Sequence, residues 1–259
     1  MAFSFDIGKM DGAVKKGKSV IYSQGDKMPF FDLRKKEGYN VADKVYRATV
    51  RLVVKEGATG FGYRVMHKNV GMPGKSPKSF TCPRFLKEDA DCPLCEYYAM
   101  SGEEELSAHM INWPSLKDGV PYLKATPLTE LLKKLEPNPR LIFIVCEPEF
   151  LNDEDARPEL RGLQSWFIEK RTLINQIMSM FKEFPADYFA DPKKGTALKV
   201  SFSPMEQALQ MYKVHSYKPI PVPLKLVESA PDAEQFTTAL KPAEDMLAKL
   251  REMLPGVTV

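Results

Sequence analysis

Apolar and polar positions alternate with a period of two over residues 44–55. Tyr46, Ala48, Val50, Leu52 and Val54 fall on one face, and Val45, Arg47, Thr49, Arg51 and Val53 on the other. This is the signature of a strand with one face in a core, and it sets Arg47 and Arg51 on one side, about 13 Å apart. A second strand is predicted over 61–69, with Arg64 and Lys68 sharing a face. Shorter strands are predicted near 108–113, 121–125, 141–147, 163–168, 197–202 and 208–217. The period changes to that of a helix over 171–183, where Leu173, Ile174, Ile177, Met178 and Phe181 recur on one side. Thr126 followed by Pro127 reads as a helix start, running to about Leu135 and stopped by Pro137 and Pro139. A closing helix is predicted from about Asp232, broken at Pro242 and resumed to Leu254, with Met246, Leu247, Leu250 and Leu254 as its apolar stripe.

Seven to nine short strands, few helices and no internal repeat predict a mainly β chain with α insertions. The closest simple architecture is a small barrel of the oligonucleotide-binding (OB-fold) type with a C-terminal helix. The expected layout is a basic N-terminal arm over 1–40, a core over 41–227 and a closing helical segment over 228–259. The 259 residues are 44% hydrophobic, enough for a substantial core. The longest apolar run, Leu141–Cys146, is far short of the roughly 20 residues of a membrane span. Residues 1–16 show no apolar secretory stretch, so an intracellular, cytoplasmic protein is expected.

Charge changes the picture by its distribution. Residues 1–90 carry 18 Lys/Arg against 9 Asp/Glu, whereas residues 91–160 carry 6 against 14. A basic first third is what a polyanion such as nucleic acid selects, and also what a solvated surface tolerates. One basic segment, Gly12–Ser19, matches the phosphate-loop pattern G-x-x-x-x-G-K-[ST] with Lys18 in the lysine position. The mechanism requires a buried strand before it and a helix after it. Val20–Gly25 and then Pro29 follow instead, and no βαβ alternation is present. An NTPase using Lys18 is therefore the remote alternative, and the chain is expected not to be an enzyme.

Three of the four cysteines cluster as Cys82-x9-Cys92-Pro-Leu-Cys95, while Cys146 sits alone in an apolar run as a small buried hydrophobe. Clustered cysteines in a reducing compartment read as metal ligands. The tight Cys92–Cys95 turn brings two sulfurs to one ion, and three thiolates need a fourth ligand for tetrahedral zinc. His67 upstream and His109 downstream are the candidates.

The pattern His67-x14-Cys82-x9-Cys92-Pro-Leu-Cys95 resembles the zinc module of the T-even phage single-stranded DNA-binding protein family. The order strand, acidic loop, aromatic strand and helix over Leu141–Met180, and the stretch Gly195–His215, follow the family as well. The resemblance spans roughly residues 44–217 and is specific at the metal motif. It implies one structural Zn2+ held by His67, Cys82, Cys92 and Cys95 in an insert at 67–100 of an OB-fold core. It also implies sequence-neutral binding of single-stranded DNA in replication, recombination and repair, in a host-cell cytoplasm if the chain is phage-encoded. Partners would be the DNA, the protein itself along the strand, and replication, recombination or transcription proteins. Lys15–Ser19 is a faint counterpart of the family's basic N-terminal motif. Residues 228–259 carry six acids and three bases in a helical pattern, unlike the family's long acidic tail.

Single-strand binding needs cations for phosphates and rings for bases. The candidate contacts are Arg47, Arg51, Arg64, Lys68, Arg84, Lys87, Lys199 and Lys213 for phosphates. Tyr63, Tyr97, Tyr98, Trp166, Tyr212 and Tyr217 are the candidates for stacking. The alternative is a zinc-containing transcription or recombination adaptor that works through a protein partner.

Overall fold

A computed structural model of the chain describes residues 28–31, 33, 45–58, 60–72, 77–86, 90–117, 120–203, 206, 211–233 and 241–254. Among these, the strands are β1 (Tyr46–Leu52), β2 (Gly62–Val70), β3 (Lys78–Thr81), β4 (Met110–Lys117), β5 (Val120–Pro127), β6 (Pro137–Cys146), β7 (Gln164–Ile168), β8 (Thr196–Phe202) and β9 (Tyr212–Pro219). The principal helices are α1 (Pro93–Ala99), α2 (Leu128–Lys133), α3 (Arg171–Glu183), α4 (Leu224–Ser229) and α5 (Ala243–Met253). The chain is mixed and mainly β. No helix of the described residues is long and apolar enough to cross a membrane.

The chain divides into two compact units. The first holds residues 20–63 and 140–237, and the second residues 64–139 and 238–259. The sequence boundaries at 41–227 and 228–259 do not follow this division. The closing helix α5 belongs to the second unit, with the cysteines.

In the first unit the strands run antiparallel in the order β7-β6-β1-β8-β9. Tyr46, Ala48, Val50 and Leu52 of β1 point inward, as their period demands, and share a core with Phe143, Val145, Leu198 and Val200. Helix α3 spans the predicted residues and covers that core with Leu173, Ile174, Ile177 and Phe181. Each fully buried side chain of this size contributes about 1.5–3 kcal/mol. Strand β6 is buried along 141–146 because its second face is also covered. Ile144 and Cys146 pack there with Val53, Val222, Val227, Ala230 and Ala233. The outer face of β1, β8 and β9 is buried at Arg51 and Ala197 and exposed at Arg47, Lys213, His215 and Tyr217.

The expected closed barrel is not formed; the described residues make an open antiparallel sheet. The edge of β9 is met by a side chain. Gln176 of α3 donates to the Tyr212 carbonyl and accepts from the Val214 N–H, both at 3.0 Å. One amide thus satisfies the donor and the acceptor that a further strand would have paired.

In the second unit β2 pairs with β3 and β4 with β5, both antiparallel. The predicted helix start shifts by one residue. Pro127 is the N-cap of α2, and the Thr126 hydroxyl turns back to the Lys124 carbonyl at 3.1 Å. Pro137 and Pro139 lie at the beginning of β6 rather than simply closing a helix.

Candidate metal centre

His67 and Cys82 are brought together by strand register. His67 lies opposite Phe80, and the Cys82 N–H donates to the Val65 carbonyl at 2.9 Å. Cys82 is therefore the diagonal neighbour of His67 across the pair, on the same face. Beyond His67 the register slips by one residue before Val70, and Asn69 takes the left-handed conformation at φ 53°. Asparagine tolerates this better than most residues.

Cys92 and Cys95 arrive on the first turn of α1. Cys92 is its N-cap in extended conformation, Pro93 supplies the preset first residue, and the Cys95 and Glu96 N–H groups both donate to the Cys92 carbonyl. The Cys92 side chain makes no capping bond, which leaves its sulfur to the cluster.

The four ligand atoms all lie within 4.8 Å of one another. Cys82 Sγ is 3.9 Å from Cys92 Sγ and 3.5 Å from Cys95 Sγ. His67 Nε2 is 3.3 Å from Cys92 Sγ and 3.5 Å from Cys95 Sγ. His67, Cys82 and Cys92 are buried, and Cys95 is half-buried. On the far side of the imidazole, Nδ1 is 2.6 Å from the carbonyl of Leu135, just beyond α2. A carbonyl only accepts, so Nδ1 carries a proton, and Nε2 is the ring atom that faces the sulfurs. This set can hold one metal ion. His109 is not part of it; its N–H and carbonyl are used by Leu106 and Leu128.

Electrostatics fit the same picture. Burial works against a charged imidazole, but hydrogen bonds with Cys82 and Cys92 outweigh it and hold His67 up at about 9. Hydrogen bonds from Cys92 and Cys95 pull Cys82 far below the usual thiol range, and the same sharing pushes Cys95 above it. Without metal the cluster gathers negative charge at its centre and draws a proton to it.

The predicted polyanion contacts separate into groups. In the first unit Arg47, Lys199, Lys213 and Tyr217 share the outer face, Lys199 half-buried and the other three exposed. Register places Arg47 beside Ser201 beside Lys213, and Thr49 beside Lys199 beside His215. Lys199 Nζ lies 4.8 Å from the centre of the Tyr217 ring and Lys218 Nζ 5.3 Å from it. Lys213 is paired with the Glu206 carboxylate at 3.0 Å. His215 and Lys218 were absent from the predicted contacts; the alternation along β9 was the available signal for His215.

Arg51 is a correction. It follows Arg47 on the outer face but is fully buried. Its guanidinium donates to the carbonyls of Ile220 (2.7 Å), Asp191 (2.7 Å), Thr196 (3.2 Å) and Phe189. Burial lowers its pKa to about 10, so it stays cationic at neutral pH. A Cβ on Gly195 would stand 2.3 Å from Arg51 Nη2 and 2.5 Å from the Asp191 carbonyl. Trp166 is also corrected: it is 4% exposed and stacks edge-on against Phe31 at 5.4 Å. With Tyr212, Phe30 and Phe167 it lines a cavity of about 330 Å3. Tyr63 is half-buried against the core, and burial raises its pKa.

In the second unit Arg64 is buried, which removes it as a surface contact. Arg84 pairs with Glu96 at 3.5 Å. Lys68, Tyr97 and Tyr98 are half-buried. Lys87, Lys18 and the basic arm apart from Met28–Phe31 and Leu33 lie outside the described residues. No protein-family model matches the chain, and no curated protein matches it.

Proposed function

We propose that the chain binds single-stranded DNA without regard to sequence and carries one structural Zn2+. The observation that carries the DNA reading is the outer face of β1, β8 and β9. Three adjacent strands, about 4.8 Å apart, set Arg47 and Lys213 in one row through Ser201 and Lys199 in the next, on one face, with Tyr217 beside Lys199. Cations at strand spacing with an exposed ring offer phosphate contacts and a stacking surface, and neither depends on base identity. The open sheet stands in this reading for the OB-fold barrel implied by the motif.

The zinc reading rests on donor chemistry. Three thiolates and one imidazole are the borderline-soft set that zinc takes. Tetrahedral bonds of about 2.3 Å to sulfur and 2.0–2.1 Å to nitrogen imply edges near 3.8 Å and 3.6 Å. The S···S separations of 3.5 and 3.9 Å and the N···S separations of 3.3 and 3.5 Å match them. His67, Cys82, Cys92 and Cys95 would fill all four positions, so the ion would crosslink the second unit and do no chemistry on a substrate.

Binding single strands in preference to duplex favours melting by mass action and suits replication, recombination and repair. The test is a titration of the purified chain with labelled oligo-dT across a salt series, with metal assayed on the same sample. One zinc per chain and an affinity that falls steeply with salt are expected. No binding at low salt with zinc present overturns the DNA reading. The adaptor reading then takes over, supported by the exposed Met110 and Leu123 on the β4–β5 ribbon.

A further inference from the structure

The closing helix belongs to the second unit although residues 140–237 belong to the first. It packs against α1, the helix whose first turn carries Cys92 and Cys95. Met246, Leu250, Met253 and Leu254 are buried at 0–1% exposure, while Glu244, Asp245 and Arg251 face water. Helix α5 has 11 residues and α1 has seven. Helices this short are not stable alone in water; each depends on what it packs against. For α1 the supports are Leu94, fully buried, and two sulfurs directed into the four-ligand cluster. The lysine stem of Lys249 lies close to Gly71, just beyond β2, so α5 also borders the strand that carries His67. The ion would therefore crosslink the elements that form the seat of α5.

We propose that metal loading governs the docking of α5: with the ion held α5 is seated on α1, and with the ion lost it is released and its apolar stripe exposed. This rests on reading the cluster as a metal site. Linkage makes the effect reciprocal, so loosening α5 weakens the hold on the metal by the same factor. None of the four ligands lies on α5, and a helix that contributes no ligand nevertheless tightens the hold on the ion.

The test uses the full chain, measures Zn2+ affinity by equilibrium competition with a chelating metal indicator, and compares wild type with Leu250→Asp. An affinity about tenfold weaker in the variant is expected, within the usual range of such couplings. Equal affinities overturn the proposal. Hydrogen exchange on the wild type provides the converse measurement. Amides of 243–253 should lose protection on stripping more than those of 171–183 do, and unchanged protection of 243–253 overturns the proposal even if Leu250→Asp fails to fold. A wild type that retains no zinc overturns the metal reading itself, whereas a zinc-bearing wild type with an affinity equal to that of the variant overturns only the coupling.

Discussion

Each unit gathers electron pairs in its interior, and the two differ in where the balancing charge comes from. In the first, carbonyls of Phe189, Asp191, Thr196 and Ile220 surround the Arg51 guanidinium, a cation the chain supplies itself. In the second, three sulfurs and the His67 nitrogen converge in an arrangement that could hold a metal ion. A tethered cation is permanent, so the first arrangement is complete once folded. A metal ion, as proposed for the second, must be acquired, and that arrangement would depend on the composition of the solution. Four acceptors around a centre teach opposite lessons depending on whether the centre is covalent.

The largest expected effect breaks the second arrangement alone. Cys92→Ser should abolish stoichiometric zinc and unprotect the amides of 64–139, leaving those of the first unit exchanging as before. Structural zinc sites supply about 10–16 kcal/mol of apparent binding free energy in small peptides. Residue-resolved hydrogen exchange with metal analysis reads both outcomes. Next is Arg51→Met, which leaves four carbonyls short of a donor. A loss of about 3–5 kcal/mol is expected in urea unfolding, with no change in zinc content. Gly195→Ala should act on the same knot, since its methyl meets the guanidinium and the Asp191 carbonyl. The two substitutions should therefore be non-additive, with the glycine change costing less once Arg51 is gone, by a coupling of about 0.5–3 kcal/mol.

Smaller effects sharpen the comparison. Lys199→Ala should weaken oligo-dT binding and reduce the slope of log affinity against log salt by about 0.7, read by anisotropy, without altering zinc or stability. The thiols provide the finest contrast. Burial first, and the neighbouring Glu147 as well, push Cys146 up to about 12 against the attraction of Arg51. In the native, zinc-loaded chain no thiol should react with an aromatic disulfide at pH 8. Chelation should expose three, and denaturation the fourth. Because the unfolded chain releases the Cys146 proton near its ordinary value while the folded chain retains it, that residue's contribution to stability falls as pH rises above about 9. Unfolding measured between pH 8 and 10 checks the sign, with Cys146→Ala losing that part of the slope.

What was legible in the chain follows from the same contrast. All four candidate ligands are side chains, and the three cysteines, two of them on one tight turn, were exposed by spacing; spacing left His67 and His109 both open, and the resemblance pointed to His67. Helix α3 was legible because one buried stripe repeats over its whole length. Arg51 was not, because its partners are carbonyls of residues 138 to 169 positions away, and a carbonyl carries no residue identity. The start of β6 at Pro137 was masked by prolines that also end helices. Closure of the sheet was overread, since nothing in the strand count reveals that Gln176 will occupy the edge of β9. The home of α5 was hidden for the reason Arg51 was, because long-range packing leaves no local trace.

The interleaving of the two units also sets a schedule. During synthesis the four ligands emerge well before α5, which follows well over a hundred residues behind α1. At roughly 5–20 residues per second this is a delay of about 7–30 s. For that interval the nascent chain holds a ligand set without its last packing partner, while residues 140–233 appear and assemble their own sheet. The order of appearance gives the first unit time to form before the second gains the helix that packs on α1.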